Sequence, residues 1–162
     1  MKKIIVAVFA ICLLVNFTPS QPQKVAAELV WETNFEAAVK KAKKAKKKLL
    51  LNFTGSDWCG WCIRLDKEVF SKDAFIEYAN QNLVCVKLDF PKAKKLPKEE
   101  KAQNKALAVV YKDHFEGSYP TILIINATKD VIFKTGYIEG GAKPYIEHLE
   151  QAIGKAKPTK KK

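Results

Sequence analysis

At 162 residues the chain has room for one hydrophobic core and little space for a second. Its 48% apolar and 28% charged residues, with only 7 Gly and 7 Pro, exclude a disordered, collagen-like or multi-span membrane protein. The 29 basic against 17 acidic side chains, net charge +12, create a field that attracts anionic partners at low salt without specifying one.

Lys2 and Lys3 precede an apolar run from Ile4 to Val15, which Asn16, Phe17, Thr18, Pro19 and Ser20 end. The run matches the apolar centre of a secretory signal, about 7 to 15 residues, and falls short of the roughly 20 that span a membrane. Residues 1–27 are therefore read as a signal peptide, cleaved after Ser20 or after Ala27, with Cys12 removed along with it. Cleavage after Ala27 removes three lysines and leaves 135 residues with 26 basic and 17 acidic side chains, net charge +9. Residues 28–154 are read as one domain and 155–162 as a Lys-rich flexible tail.

Thr33 with Glu36 three residues later has the form of a capping box, and Phe35, Val39, Ala42 and Lys46 follow at helical spacing. A helix is expected from about Asn34 to Lys47. Seven of the nine residues from Lys40 to Lys48 are lysine, as are five of the eight in the tail. Neither cluster holds an aromatic on which a base would stack, so both read as solvated surface, and no nucleic-acid partner is expected.

Leu49 to Phe53 is a short apolar run ended by Thr54, Gly55, Ser56 and Asp57, the pattern of a strand buried on both faces. After Cys59 a helical pattern carries Leu65, Val69 and Phe70, breaks near Ser71, and restarts through Phe75, Ile76 and Tyr78. A second strand is expected over Leu83–Leu88, then a Lys- and Pro-containing connection from Phe90 to Pro97. From Lys98 a helix is expected to turn Ala106, Leu107, Val110 and Tyr111 inward. Thr121–Ile125 and Val131–Thr135 read as an antiparallel hairpin, and a last helix over Lys143–Ile153 is expected to end at Gly154 as a C-cap. The order predicts an α/β fold, a central mixed sheet with helices on both faces.

The chemistry concentrates at Trp58-Cys59-Gly60-Trp61-Cys62, directly after a buried strand and at the start of a helix. A thiol at a helix N-terminus faces unpaired N–H groups and the positive dipole end, which favour the thiolate. Cys59 is therefore read as the nucleophile. Cys62, one turn further, is placed to attack a mixed disulfide at Cys59, which is two-electron thiol-disulfide exchange. Half a zinc site is the competing use of such a pair, but His114 and His148 have no partner at ligand spacing, so no metal is expected. Cys85, within Leu83-Val84-Cys85-Val86, reads as a small buried core residue.

At these residues the sequence resembles the thioredoxin superfamily. The likeness takes in the strand Leu49–Phe53, the Trp-Cys-Gly-x-Cys segment, the strand ending Lys87-Leu88-Asp89, Tyr119-Pro120-Thr121, the hairpin and Gly140-Gly141. More narrowly it is similar to exported single-domain thioredoxin-like proteins that include the chlamydial periplasmic reductase type, with an extra N-terminal helix and a longer Lys-rich connection. The resemblance implies a thioredoxin fold and no cofactor beyond a redox-active Cys59–Cys62 disulfide. It also implies a cis bond before Pro120, and a substrate surface made by Trp58, Trp61, Tyr119 and Pro120.

Two positions depart from thioredoxin itself. Asn52 stands where a buried acid usually helps move the proton of the second cysteine, leaving Lys87, Asp57 or water for that task. Trp61 replaces the proline of Gly-Pro, in the pair that tunes reduction potential, so the motif names the reaction without its direction. The expected function is exchange with disulfides of exported proteins, more as reductase than as oxidant or isomerase, by a periplasmic monomer supplied by an upstream membrane or periplasmic electron donor. A peptide-binding module with the disulfide as a permanent staple is the alternative from another class.

Overall fold

The computed structural model describes residues 28–155; the expected signal peptide with its two candidate cleavage points, Cys12 and the expected tail beyond Lys155 lie outside them. Five strands and six α-helices follow in the order β1 (Trp31–Glu32), α1 (Phe35–Ala45), β2 (Lys48–Thr54), α2 (Gly60–Leu65), α3 (Asp73–Asn82), β3 (Leu83–Asp89), α4 (Lys98–Val110), α5 (Lys112–Phe115), β4 (Thr121–Ile125), β5 (Val131–Thr135) and α6 (Ala142–Lys155). The strands form one mixed sheet ordered β1-β3-β2-β4-β5. β3 runs parallel to β1 and β2, while β4 is antiparallel to β2 and β5.

The central strand β2 explains the two-sided core. Side chains alternate along a strand, so Leu49, Leu51 and Phe53 face one way and Leu50 the other. The first set packs under α1, α4 and α5 with Val86, Leu88, Leu107 and Leu123. Leu50 packs under α2, α3 and α6 with Leu65, Phe75, Ile122 and Tyr145. Asn52 falls on the same side as Leu50, which brings an amide beneath α2.

The strands over 49–53, 83–88, 121–125 and 131–135 and the break near Ser71 lie where the sequence pattern puts them. Between α2 and that break the chain makes a π-helical turn, Asp66–Phe70, which buries Val69 and Phe70. Other local details differ. The cap of α1 is Asn34 rather than Thr33: the Asn34 side chain accepts the Ala37 N–H at 2.9 Å, and the Thr33 carbonyl accepts the Gln103 side-chain amide. β1, only two residues long, completes the sheet edge beside β3 and carries Trp31 against Phe70. On α4, Leu107 and Tyr111 are buried, but Val110 is 69% exposed and Ala106 is also exposed: the helix meets the sheet along a single narrow seam. Gly154 does not cap α6, which continues through it to Lys155. Among the described residues no helix is long and apolar enough to cross a membrane.

Candidate active site

β2 ends at Thr54, and the chain reverses over Gly55–Trp58, where the N–H groups of Trp58 and Cys59 both bond to the Gly55 carbonyl, at 3.2 and 2.9 Å. The Trp58 indole lies over this turn. A Cβ on Gly55 would come within 2.4 Å of Trp58 Cε2, so glycine is what allows the ring to lie flat there. The indole N–H donates to the Phe90 carbonyl at 2.8 Å, and the ring meets Tyr119 edge to face at 5.2 Å.

Cys59 caps α2. Its backbone is extended and its Sγ accepts the Cys62 main-chain N–H at 3.2 Å. Cys59 and Cys62 are joined as a disulfide, and each is at least 94% buried. The N–H that bonds to Cys59 Sγ is oriented to stabilise negative charge there once the disulfide opens, lowering the cost of a thiolate.

Around the sulfurs the surface is apolar. Trp58, Trp61 and Ile63 are 38%, 53% and 49% exposed, unusual for such side chains on a soluble domain unless they make contacts. Trp61 lies beside Tyr137 at 5.2 Å. The Arg64 guanidinium sits over both rings, at 5.5 and 5.1 Å, and is fixed by Glu68 at 2.7 Å. Glu68 also accepts the Tyr137 hydroxyl, and that bond followed by Arg64 holds its carboxyl below the usual carboxylate range. The Tyr119–Pro120 peptide is cis, and Tyr119 stands against Trp58.

Behind Cys62 lies a cavity of about 140 Å³ lined by Asn52, Thr54, Cys62, Asp66 and Lys87, among others. Asn52 and Lys87 are register partners on β2 and β3. The Asn52 Oδ1 is buried without a hydrogen-bond partner among the protein atoms, an uncommon state for a buried polar atom and a natural contact for water in so polar a space. Asp66 did not emerge from the motif, although it lies four residues after Cys62, the spacing at which two helical side chains share a face.

Asp57 stands elsewhere. It does not line this cavity; its carboxylate accepts the main-chain N–H groups of Lys92, Ala93 and Lys94 at 2.9, 2.7 and 2.9 Å. Those bonds, that of Lys94 foremost, lower its pKa. The carboxylate therefore fastens the 90–97 connection, and a proton acceptor at Cys62 has to be sought in the cavity. Because the folded-state pKa is depressed, the stabilisation is present above the unfolded value of about 4 and is lost as pH falls through the folded one. Asp57→Asn is expected to lower stability at pH 6 and to lose that disadvantage progressively below about pH 4, as read by urea unfolding of both proteins across the range. A gap that stays constant with pH would remove the charge from this account.

Cys85 is the third cysteine of the domain. It is buried in β3 under α3, and burial pushes its thiol up to about 12, which makes it unreactive at neutral pH.

A mixed sheet with a buried strand leading into a helix capped by the first of two paired cysteines defines a thiol-disulfide oxidoreductase of thioredoxin fold. The chain belongs to the thioredoxin-like family, whose profile matches residues 30–127. It is 32% identical over 128 residues to DsbH of Chlamydia pneumoniae, a disulfide bond reductase, covering 79% of this chain and 75% of that one. A solved DsbH oxidoreductase superposes with a TM-score of 0.75 at 29% identity, over 86% of this chain and 94% of the other. A putative disulphide-isomerase from Bacteroides thetaiotaomicron gives 0.59 at 26% identity, over 81% and 98%.

Proposed function

We propose that the protein is an exported reductase of disulfides in other exported proteins, working through Cys59 and Cys62 without a bound cofactor. The observation that carries it is the Cys59 sulfur seated as the cap of α2, accepting the Cys62 N–H within an apolar rim. Relatedness to a disulfide bond reductase supports the direction, and the basic, apolar N-terminal pattern of residues 1–27 supports export.

In the dithiol form, the Cys59 thiolate attacks one sulfur of a substrate disulfide, forming a mixed disulfide and expelling the other sulfur as a thiolate. Cys62, once deprotonated, attacks Cys59 Sγ, closing the Cys59–Cys62 bond and releasing the second substrate thiolate. Two electrons pass from the protein to the substrate, and an upstream donor in the membrane or periplasm returns them. Trp58, Trp61, Tyr119 and Pro120 hold the substrate chain, with the main chain at Tyr119 pairing with it. Lys87 and Asp66 are the ionisable groups of the cavity behind Cys62 and manage its proton, with Asn52 holding water between them. The protein acts as a monomer.

The reduction potential, measured against glutathione buffers, tests the direction. A reductase is expected at or below about −230 mV, whereas about −120 to −180 mV belongs to oxidants and isomerases and would overturn the assignment.

A further inference from the structure

The connection that Asp57 fastens forms one wall of a cleft of about 550 Å³ between residues 89–96 and the start of α4. Six lysines converge on it: Lys92, Lys94, Lys95, Lys98, Lys101 and Lys105. All six are exposed, and none of their ammonium groups forms an ion pair among the described residues. Four carboxylates lie near them, Asp57 and Asp89 and, in the first turn of α4, Glu99 and Glu100, and none forms an ion pair with these lysines. Asp89, at the floor, accepts from the Ser56 N–H and hydroxyl, and Asp57 accepts from the main chain of the connection itself. Six unpaired lysines against four carboxylates leave this concavity net positive, and such an arrangement favours an anionic occupant.

The position of the cleft narrows the choice of occupant. Lys92 Nζ lies 4.3 Å over the Trp58 ring, Trp58 is bonded to the Phe90 carbonyl, and the next residue is Cys59. The cleft is thus continuous with the apolar rim of the disulfide, and a chain engaged at Cys59 has this surface beside it. A nucleic acid would need a stacking platform, but Phe90, the aromatic ring of the cleft, is packed against Phe53 and Phe115.

We propose that this lysine-lined cleft docks an acidic segment of the protein substrate, flanking the disulfide that Cys59 attacks. The proposal rests on the exchange reading for its place beside the sulfurs, yet docking can be measured without any exchange. The probe is a cysteine-free octapeptide with four glutamates and a neutral dye, titrated with the oxidised protein and followed by fluorescence anisotropy. Binding is expected, weakening as salt is raised from 50 to 300 mM. Lys94→Gln, Lys98→Gln and Lys101→Gln together are expected to weaken it about tenfold, the combined effect of three exposed charge pairs. A control that removes the same charge from α1, Lys40→Gln with Lys43→Gln and Lys44→Gln, is expected to change it less than about twofold. Thermal unfolding checks that both variants remain folded, and Glu at the same three cleft positions is expected to turn the preference to a lysine-rich peptide.

No binding of the acidic probe, or equal loss in the two Gln triples, overturns the proposal, since the second outcome reports net charge rather than a site. Failure of the exchange reading has a different signature. The unmodified protein would then fail to accelerate the reduction of the neutral probe hydroxyethyl disulfide by dithiothreitol above the rate without protein, whatever the anisotropy shows.

Discussion

Cys59→Ser is expected to abolish disulfide reduction, with a loss on the order of 10³-fold or more, as when an enzyme loses its nucleophile. Cys62→Ser is expected to do something different. Cys59 in that variant keeps its place as the cap of α2 and still attacks a substrate disulfide, but no second thiol is present to resolve the product. Multiple turnover fails, and a covalent complex between protein and substrate accumulates. Non-reducing electrophoresis and intact-mass measurement distinguish the two variants, because only Cys62→Ser yields an adduct that dithiothreitol releases. The geometry makes the order of the two sulfurs testable: Cys59 Sγ accepts the Cys62 N–H, and Cys62 instead opens toward the internal cavity with Asn52, Asp66 and Lys87. If Cys62→Ser gave no adduct while Cys59→Ser did, the roles would be exchanged. If Cys59→Ser left activity intact, the paired cysteines would be a structural staple. Cys85 is a useful internal control, since a buried thiol with a pKa near 12 should form no adduct in either background.

Much of this arrangement can be read from the chain without coordinates, because the informative segments are those in which local pattern and tertiary role agree. Leu49, Leu50, Leu51 and Phe53 put apolar side chains on both faces because β2 lies between two helical layers, and the strands on either side of Asn126–Asp130 are bounded by residues that make a tight turn. Trp58-Cys59-Gly60-Trp61-Cys62 is legible because its chemistry depends on spacing. Where tertiary contacts override local preference, the pattern misleads. Thr33 and Glu36 have the form of a capping box, but Gln103, 70 residues beyond Thr33, bonds the Thr33 carbonyl and the Phe35 N–H, and Asn34 between them caps α1. Val110 fits the periodicity of α4, but the helix buries Asn104 and Leu107, with Tyr111 at its C-terminal cap, and leaves Val110 in solvent.

The site shows the same division. Asp57 sits next to the motif and invites a catalytic role, yet its oxygens face main-chain donors 35 to 37 residues on, a relation that no local pattern encodes. Gly55 gives no sign in the sequence that it makes room for an indole three residues later. The lysines of the 90–105 region look like ordinary solvated charge in one dimension. Only the fold of the connection onto the start of α4 turns them toward one cleft.

Phe53→Ala is expected to lower stability by about 3–5 kcal/mol, a large share of the 5–15 kcal/mol typical of a small domain. The ring is fully buried in the central strand, stacked on Phe115 at 4.6 Å and on Phe90 at 6.4 Å, with Tyr111 edge-on at 6.5 Å. Truncation therefore opens a cavity that three neighbouring rings, packed on further rings and on one another, cannot readily collapse into. Urea unfolding measures the loss, and a cost below about 1 kcal/mol would mean that the cluster repacks freely. The same rings also lead toward the sulfurs: Phe90 and Phe115 both pack on Tyr119, and Tyr119 packs on Trp58. That chain of contacts raises the question of whether core damage reaches the chemistry. A reduction potential depends only on the difference in stability between the disulfide and dithiol forms, with about 1.4 kcal/mol corresponding to 30 mV. Phe53 touches neither sulfur, so its loss should weaken both forms alike and move the potential by less than about 30 mV. A larger shift would identify the aromatic path through Tyr119 and Trp58 as part of what sets the potential, alongside Gly60 and Trp61 between the cysteines.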